Sequence, residues 1–270
     1  MRWLIISLLC LAGCGGDPTP MPSGGNPPRA PSASGQSISW DFESGTFPPT
    51  GPTTATHFPA VVLLEESPHF HYGRLTAVPS DCGPSYFTTC PVTRAEWFFD
   101  QLTPLIGQSF TYQVDLRLPS SGAAGSNIGP HQLMAWQIFG TVAGSQSVWL
   151  GVASGGRWYI ANQMQPCANP RCAANDPLFG GPTPIQMIDL GAVVYDQWET
   201  FKVIVSFNTD TTGTVQVSKN GTSMGIMTNQ ATMLVSGVPQ QVFLDVLDVP
   251  GNPGIVDFDN LSMSDVQPPP

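Results

Sequence analysis

Apolar residues in this chain recur at every second position and not at every third or fourth. Phe110, Tyr112, Val114, Leu116 and Leu118 alternate with Thr111, Gln113, Asp115 and Arg117, and Phe201, Val203, Val205 and Phe207 repeat the pattern. Successive side chains of an extended strand point to opposite faces, so this spacing predicts strands with one face on a core. No stretch keeps helical periodicity for more than a turn or two. After Val215 and Val217, the dipeptide Asn220, Gly221 supplies the positive φ angles of a tight hairpin into residues 223–227. Further strands are expected at 38–42, 93–99, 131–139, 148–153, 157–161, 241–246 and 256–263, with turn residues between them. So many short strands in one unit predict an all-β fold, two packed sheets of jelly-roll type.

The N-terminal end departs from this pattern. Met1 and Arg2 precede an apolar run from Trp3 to Leu11, then Ala12, Gly13 and Cys14, an order that reads as a removed export signal too short to span a bilayer. The tetrad Leu11, Ala12, Gly13, Cys14 resembles the lipobox of bacterial lipoproteins, which implies cleavage before Cys14 and lipidation of its thiol. From Gly15 to about Ser37 the chain is Pro, Gly, Ser and Asn with little apolar content, so it cannot offset the entropy of folding. The expected organisation is therefore signal peptide 1–13, lipidated cysteine and linker 14–37, one jelly-roll domain 38–265 and a disordered tail 266–270. Gly15 after the cysteine points to the outer membrane, so the expected location is the bacterial cell envelope, with the lipid as the only membrane contact.

Charged residues make up 10% of the chain, against about 25% in typical globular proteins. The net charge of -10, with nine Lys and Arg and no basic cluster, speaks against a nucleic-acid partner. A polyanionic sugar stays compatible, because screening limits each charge to a reach of about 8 Å at physiological salt. Cys82, Cys90, Cys167 and Cys172 remain for an oxidising compartment once Cys10 and Cys14 are set aside. Local pairing, Cys82 with Cys90 and Cys167 with Cys172, is the expected connectivity. A four-thiolate metal site is the alternative, and the spacing is not that of a zinc ribbon.

The opening Trp40, Asp41, Phe42, Glu43, Ser44, Gly45 and the closing Val256, Asp257, Phe258, Asp259, Asn260, Leu261 resemble the first and last strands of concanavalin A-like lectin/glucanase domains. Between them stand Arg94, Ala95, Glu96, Trp97; Ala135, Trp136, Gln137, Ile138; Asp189, Leu190, Gly191; Gln197, Trp198, Glu199, Thr200, Phe201; and Gly213 to Val217 with Asn220, Gly221. In that order they resemble the polysaccharide lyases of this fold, the heparin lyase I, glucuronan lyase and alginate lyase groups. The resemblance covers nearly the whole domain and implies a polysaccharide as partner and a monomeric protein.

Such lyases cleave uronate chains by β-elimination, which needs a group to neutralise the carboxylate, a base for the C5 proton and an acid for the leaving oxygen. The resemblance makes Arg94 and Glu96, on one face of a strand, the carboxylate-contacting residue and its orienting partner, and Gln137 a further donor. The family's histidine position is Phe139, and the late strand 242–248 carries neither the Tyr nor the Lys found in these groups. His131, Tyr159, His69 and His71 are the conceivable substitutes for the base, with His131 and Tyr159 put forward as catalytic, and Phe139 or Tyr159 as faces that stack on sugar rings. The Glu, Asp, Glu alternation of glycoside hydrolases with this fold is absent. No cofactor is otherwise implied, except that Asp257 and Asp259, with Asp41 or Glu43 if the terminal strands are neighbours, have the hard oxygen chemistry of a structural calcium site. Two principal readings stand: a polysaccharide-binding protein on a lyase scaffold, or an active lyase with a displaced base. A structural envelope lipoprotein is the third.

Overall fold

The computed structural model describes residues 37–45, 61–66, 70–77, 93–102, 104–122, 131–140, 148–153, 156–162, 186–233, 240–248 and 254–266. They form β1 Ser37–Trp40, β2 Val61–Glu66, β3 Phe70–Ala77, β4 Thr93–Leu102, β5 Ser109–Arg117, β6 His131–Gly140 and β7 Val148–Ala153. Then follow β8 Arg157–Asn162, β9 Gln186–Ala192, β10 Glu199–Ser206, β11 Gly213–Lys219, β12 Thr222–Gln230, β13 Gln240–Asp248 and β14 Gly254–Val266, with one 3-10 turn at Ser120–Gly122. The signal, linker, tail and cysteine assignments, including Cys14, Cys82, Cys90, Cys167 and Cys172, lie outside the described residues.

Two antiparallel sheets face each other. The first runs β12-β11-β10-β5-β14-β3-β2, with β1 beside the C-terminal half of β14; the second runs β4-β13-β6-β7-β8-β9. Alternation builds the core between them, as the sequence predicts. Phe110, Tyr112, Val114, Leu116, Phe201, Val203, Val205, Val256 and Phe258 come from the first sheet and meet Trp136, Ile138, Leu150, Ile160, Val242 and Leu244 from the second. Tyr112 and Trp136 touch edge to face across the gap, ring centres 5.5 Å apart. Removing each such large side chain from water contributes about 1.5–3 kcal/mol.

The hairpin joining β11 and β12 turns at Asn220 (φ 50°) and Gly221 (φ 76°), with Lys219 opposite Thr222. The Asn220 side-chain oxygen also accepts the Thr200 N–H at 2.8 Å, which ties the turn to β10. Strand β2, Val-Val-Leu-Leu-Glu-Glu, does not alternate, and in edge strand β9 only Leu190 is buried, so neither announces itself by period. Glycine at position 73 is a packing requirement: a Cβ there would stand 2.2 Å from the Phe258 ring.

The motif Gln197 to Phe201 proves structural where it is described. Buried Glu199 accepts the Trp158 indole N–H at 2.5 Å and the Val194 N–H at 3.3 Å, and its other oxygen lies 2.6 Å from the Lys219 ammonium. Trp158 in turn packs on Phe201, ring centres 4.8 Å apart. One carboxylate thereby joins β8, β10 and β11 at the end of the sandwich.

Candidate functional site

Trp136, Ile138, Leu150, Ile160 and Leu244 face the core, so the alternate positions of the second sheet belong to its outer face. Backbone register shows which of those positions are neighbours. One row reads Phe98, Phe243, Gln137, Trp149, Ala161, Met187 from β4 to β9. Another reads Arg94, Leu247, Met134, Gly151, Tyr159, Asp189. Between them Glu96 stands opposite Asp245. Phe139, opposite Gln241, occupies the row beyond Gln137. Arg94, Glu96, Gln137, Phe139 and Tyr159 thus occupy one face of one sheet.

His131, six positions from Gln137, shares that face by alternation, and the two register shifts in β6 together leave its side unchanged. Register shifts on either side of Leu133 and Met134 give β6 six residues between Gln137 and His131 where β7 has four, from Trp149 to Ala153. The two rows are roughly 14 Å apart, whereas a general base must come within about 3 Å of the proton it takes. His71 is on β3 in the first sheet, which removes it from this face. His69 lies outside the described residues.

Over β7 and β8 the outer face is closed. Trp149 and Tyr159 are each 3% exposed although they point away from the core, and the Trp149 indole N–H donates to the Tyr159 hydroxyl at 3.3 Å. A phenol this buried meets no sugar in the observed conformation. At the β8–β9 edge the surface opens again. Arg157 Nε and Nη2 donate to the Asp189 carboxylate at 3.0 and 2.6 Å, and both side chains are more than half exposed. The Arg157 bond, followed by the Gly191 N–H at 2.9 Å, holds the Asp189 carboxyl below its ordinary range.

Sequence reasoning missed Asp245 and Trp149. Asp245 alternates with Val242, Leu244 and Val246 only imperfectly, and its meaning comes from the partner strand. Trp149 is hidden in an apolar run buried on both faces.

The expected calcium ligands divide between two surroundings: Asp257 is taken up by arginines, whereas Asp41 lies near enough to Asp259 for its charge to act there. Asp257 is fully buried and salt-bridged to two arginines: Arg74 donates through Nε at 2.5 Å and Nη2 at 2.8 Å, and Arg117 through Nε at 2.9 Å. Asp41 is exposed and accepts the Glu43 N–H at 3.2 Å. Among the described residues no three His, Cys, Asp or Glu side chains come together as a metal site. The set Asp41, Asp257 and Asp259 therefore does not fit a calcium ion. Asp259, opposite Asp115, is fully buried; both carboxylates keep one oxygen without a hydrogen-bond partner. Burial first, then the charges of Asp115, Glu43 and Asp41, pushes Asp259 up to about 7, against the bond from the Asn260 N–H.

No family model matches this chain, and no curated protein matches it. Solved structures do. The chain is similar to an endo-β-1,4-glucuronan lyase from the fungus Trichoderma reesei, with 12% identity over 85% of this chain and 95% of that one and a TM-score of 0.59. It is also similar to the alginate lyase AlyC3 in complex with dimannuronate, with 10% identity over 73% and 76% of the two chains and a TM-score of 0.51. At such identities the likeness is one of fold: the chain is an all-β, two-sheet sandwich like that of these lyases.

Proposed function

We propose that the protein recognises uronate-containing polysaccharide on the outer face of its second sheet, as a binding protein rather than as an enzyme. The observation that carries this reading is the placement of Arg94, Glu96 and Gln137 on one face of a sandwich whose solved relatives act on glucuronan and alginate. An arginine there receives a carboxylate through a planar fork of donors, and a glutamine adds a neutral hydrogen bond. Binding is favoured over cleavage because, among the described residues, none of the expected bases stands near those positions. Phe139 holds the family's histidine position, β13 has neither Tyr nor Lys, His131 lies rows away, and Tyr159 is buried. The signal and Cys14 support a lipid tether that displays this face in the cell envelope.

The test is to incubate the protein with a panel of uronate polysaccharides, following ultraviolet absorbance of unsaturated uronates and retardation in gels containing each polymer. Retardation without a rise in absorbance, abolished in Arg94→Ala and Gln137→Ala, is expected. A rise that needs Arg94 makes the protein a lyase. Absence of both signals rejects uronate recognition.

A further inference from the structure

Arg157 is an exposed cation built to a tighter specification than folding needs. Its Nε and Nη2 edge is taken by Asp189, while Nη1 has no partner among the described residues. Asp189 is itself fixed by the Gly191 N–H, at a register shift where Gly191 adopts φ 87°, a conformation that favours glycine. An ion pair this open to water adds little to stability. What the arrangement does achieve is to hold a guanidinium in one orientation with donors left over, the preorganised state from which arginine binds a second carboxylate.

Register puts this group on the same face as Arg94. Tyr159 shares the row of Arg94, and Arg157 is two residues along β8 on the same side. Four strand spacings of about 4.8 Å separate β4 from β8 and two residues add about 7 Å along the strand, so the two backbone positions are roughly 20 Å apart. Leu247, Met134 and Gly151, which lie between them in the row, carry no charge.

We infer that Arg157, oriented by Asp189, is a second carboxylate-receiving position of this face, and that the ligand is an acidic glycan long enough to place carboxylates on Arg94 and Arg157 together. This rests on the uronate reading above and adds to it a requirement for length. A glycan reaching both arginines passes over the covered part of the face at Trp149 and Tyr159, each 3% exposed, without touching either ring.

The experiment is calorimetric titration of the full chain with two uronate oligomers, a disaccharide and one longer than roughly 20 Å. Arg157→Ala is expected to weaken the long oligomer about tenfold or more, the worth of one charge-assisted hydrogen bond, and to leave the disaccharide unchanged. Because Arg157 is exposed, the variant is expected to keep the wild-type circular dichroism spectrum. Equal affinity of wild type and Arg157→Ala for the long oligomer, with Arg94→Ala still defective, overturns the second position and leaves the uronate reading standing. Failure of the wild type to bind either oligomer removes that reading, and this inference with it.

Discussion

The two outer faces of the sandwich use arginine in opposite ways. On the first sheet, Arg74 and Arg117 close on the buried Asp257, Arg117 also meets Glu66 at 2.6 Å, and its guanidinium lies 4.7 Å from the ring centres of both Tyr72 and Trp198. On the second sheet, Arg157 and Asp189 stand in water with donors unspent. The first arrangement is complete in itself and leaves nothing for a ligand. The second is held but incomplete. Charge alone therefore does not mark a site in this protein; what separates a structural arginine from a recognising one is whether the fold has already satisfied it.

The largest expected effect tests the closed face. Asp257→Ala leaves two largely buried guanidiniums without their counter-charge and is expected to cost about 3–5 kcal/mol, read as a fall in the denaturant midpoint. A loss below about 1 kcal/mol would show that the network is solvated and that the contrast between the faces is false. Next, Arg94→Ala is expected to lower affinity for uronate polymer by about 1.5–3 kcal/mol with no change in that midpoint. A drop in stability with unchanged binding would make Arg94 a structural residue like Arg117.

The third prediction concerns pH. Asp259 is pushed up to about 7, well above the ordinary aspartate range, so the native state holds its proton where the unfolded chain has lost it. Its contribution is fully present below the unfolded value and is lost as pH rises through about 7. Asp259→Asn is expected to flatten this decline and to raise the melting temperature above pH 7; an unchanged decline would assign it to other groups. The smallest effect completes the comparison. Asp189→Asn is expected to leave the melting temperature where it was and to weaken only the long acidic oligomer, since an exposed pair does not hold the fold together.

Much of the architecture was legible in the chain because its causes are local. Period-two alternation marks β5, β10 and β14, and Asn220, Gly221 specify a turn that only a few residue pairs adopt. The unassigned strands, β2, β3 and β9, lack those local signals: β2 is apolar on successive positions, β3 is interrupted by Gly73, and β9 lies at an edge. The site was legible only in part. Arg94 and Glu96 share a face by alternation, yet nothing along the sequence reveals that Arg74 and Arg117 flank Asp257 and occupy its carboxylate.

The sequence by itself determined that this is a two-sheet β-protein and which side of each regular strand meets the core, because side-chain period is a property of the strand alone. Tertiary structure decided what lies opposite what. The shift in β6 that sets Met134 opposite Gly151, the row joining Arg94 to Tyr159, and the burial of that phenol all depend on pairing between strands. Register is fixed by the fit of whole sheets against a shared core, and a shift of one residue turns every side chain to the other face.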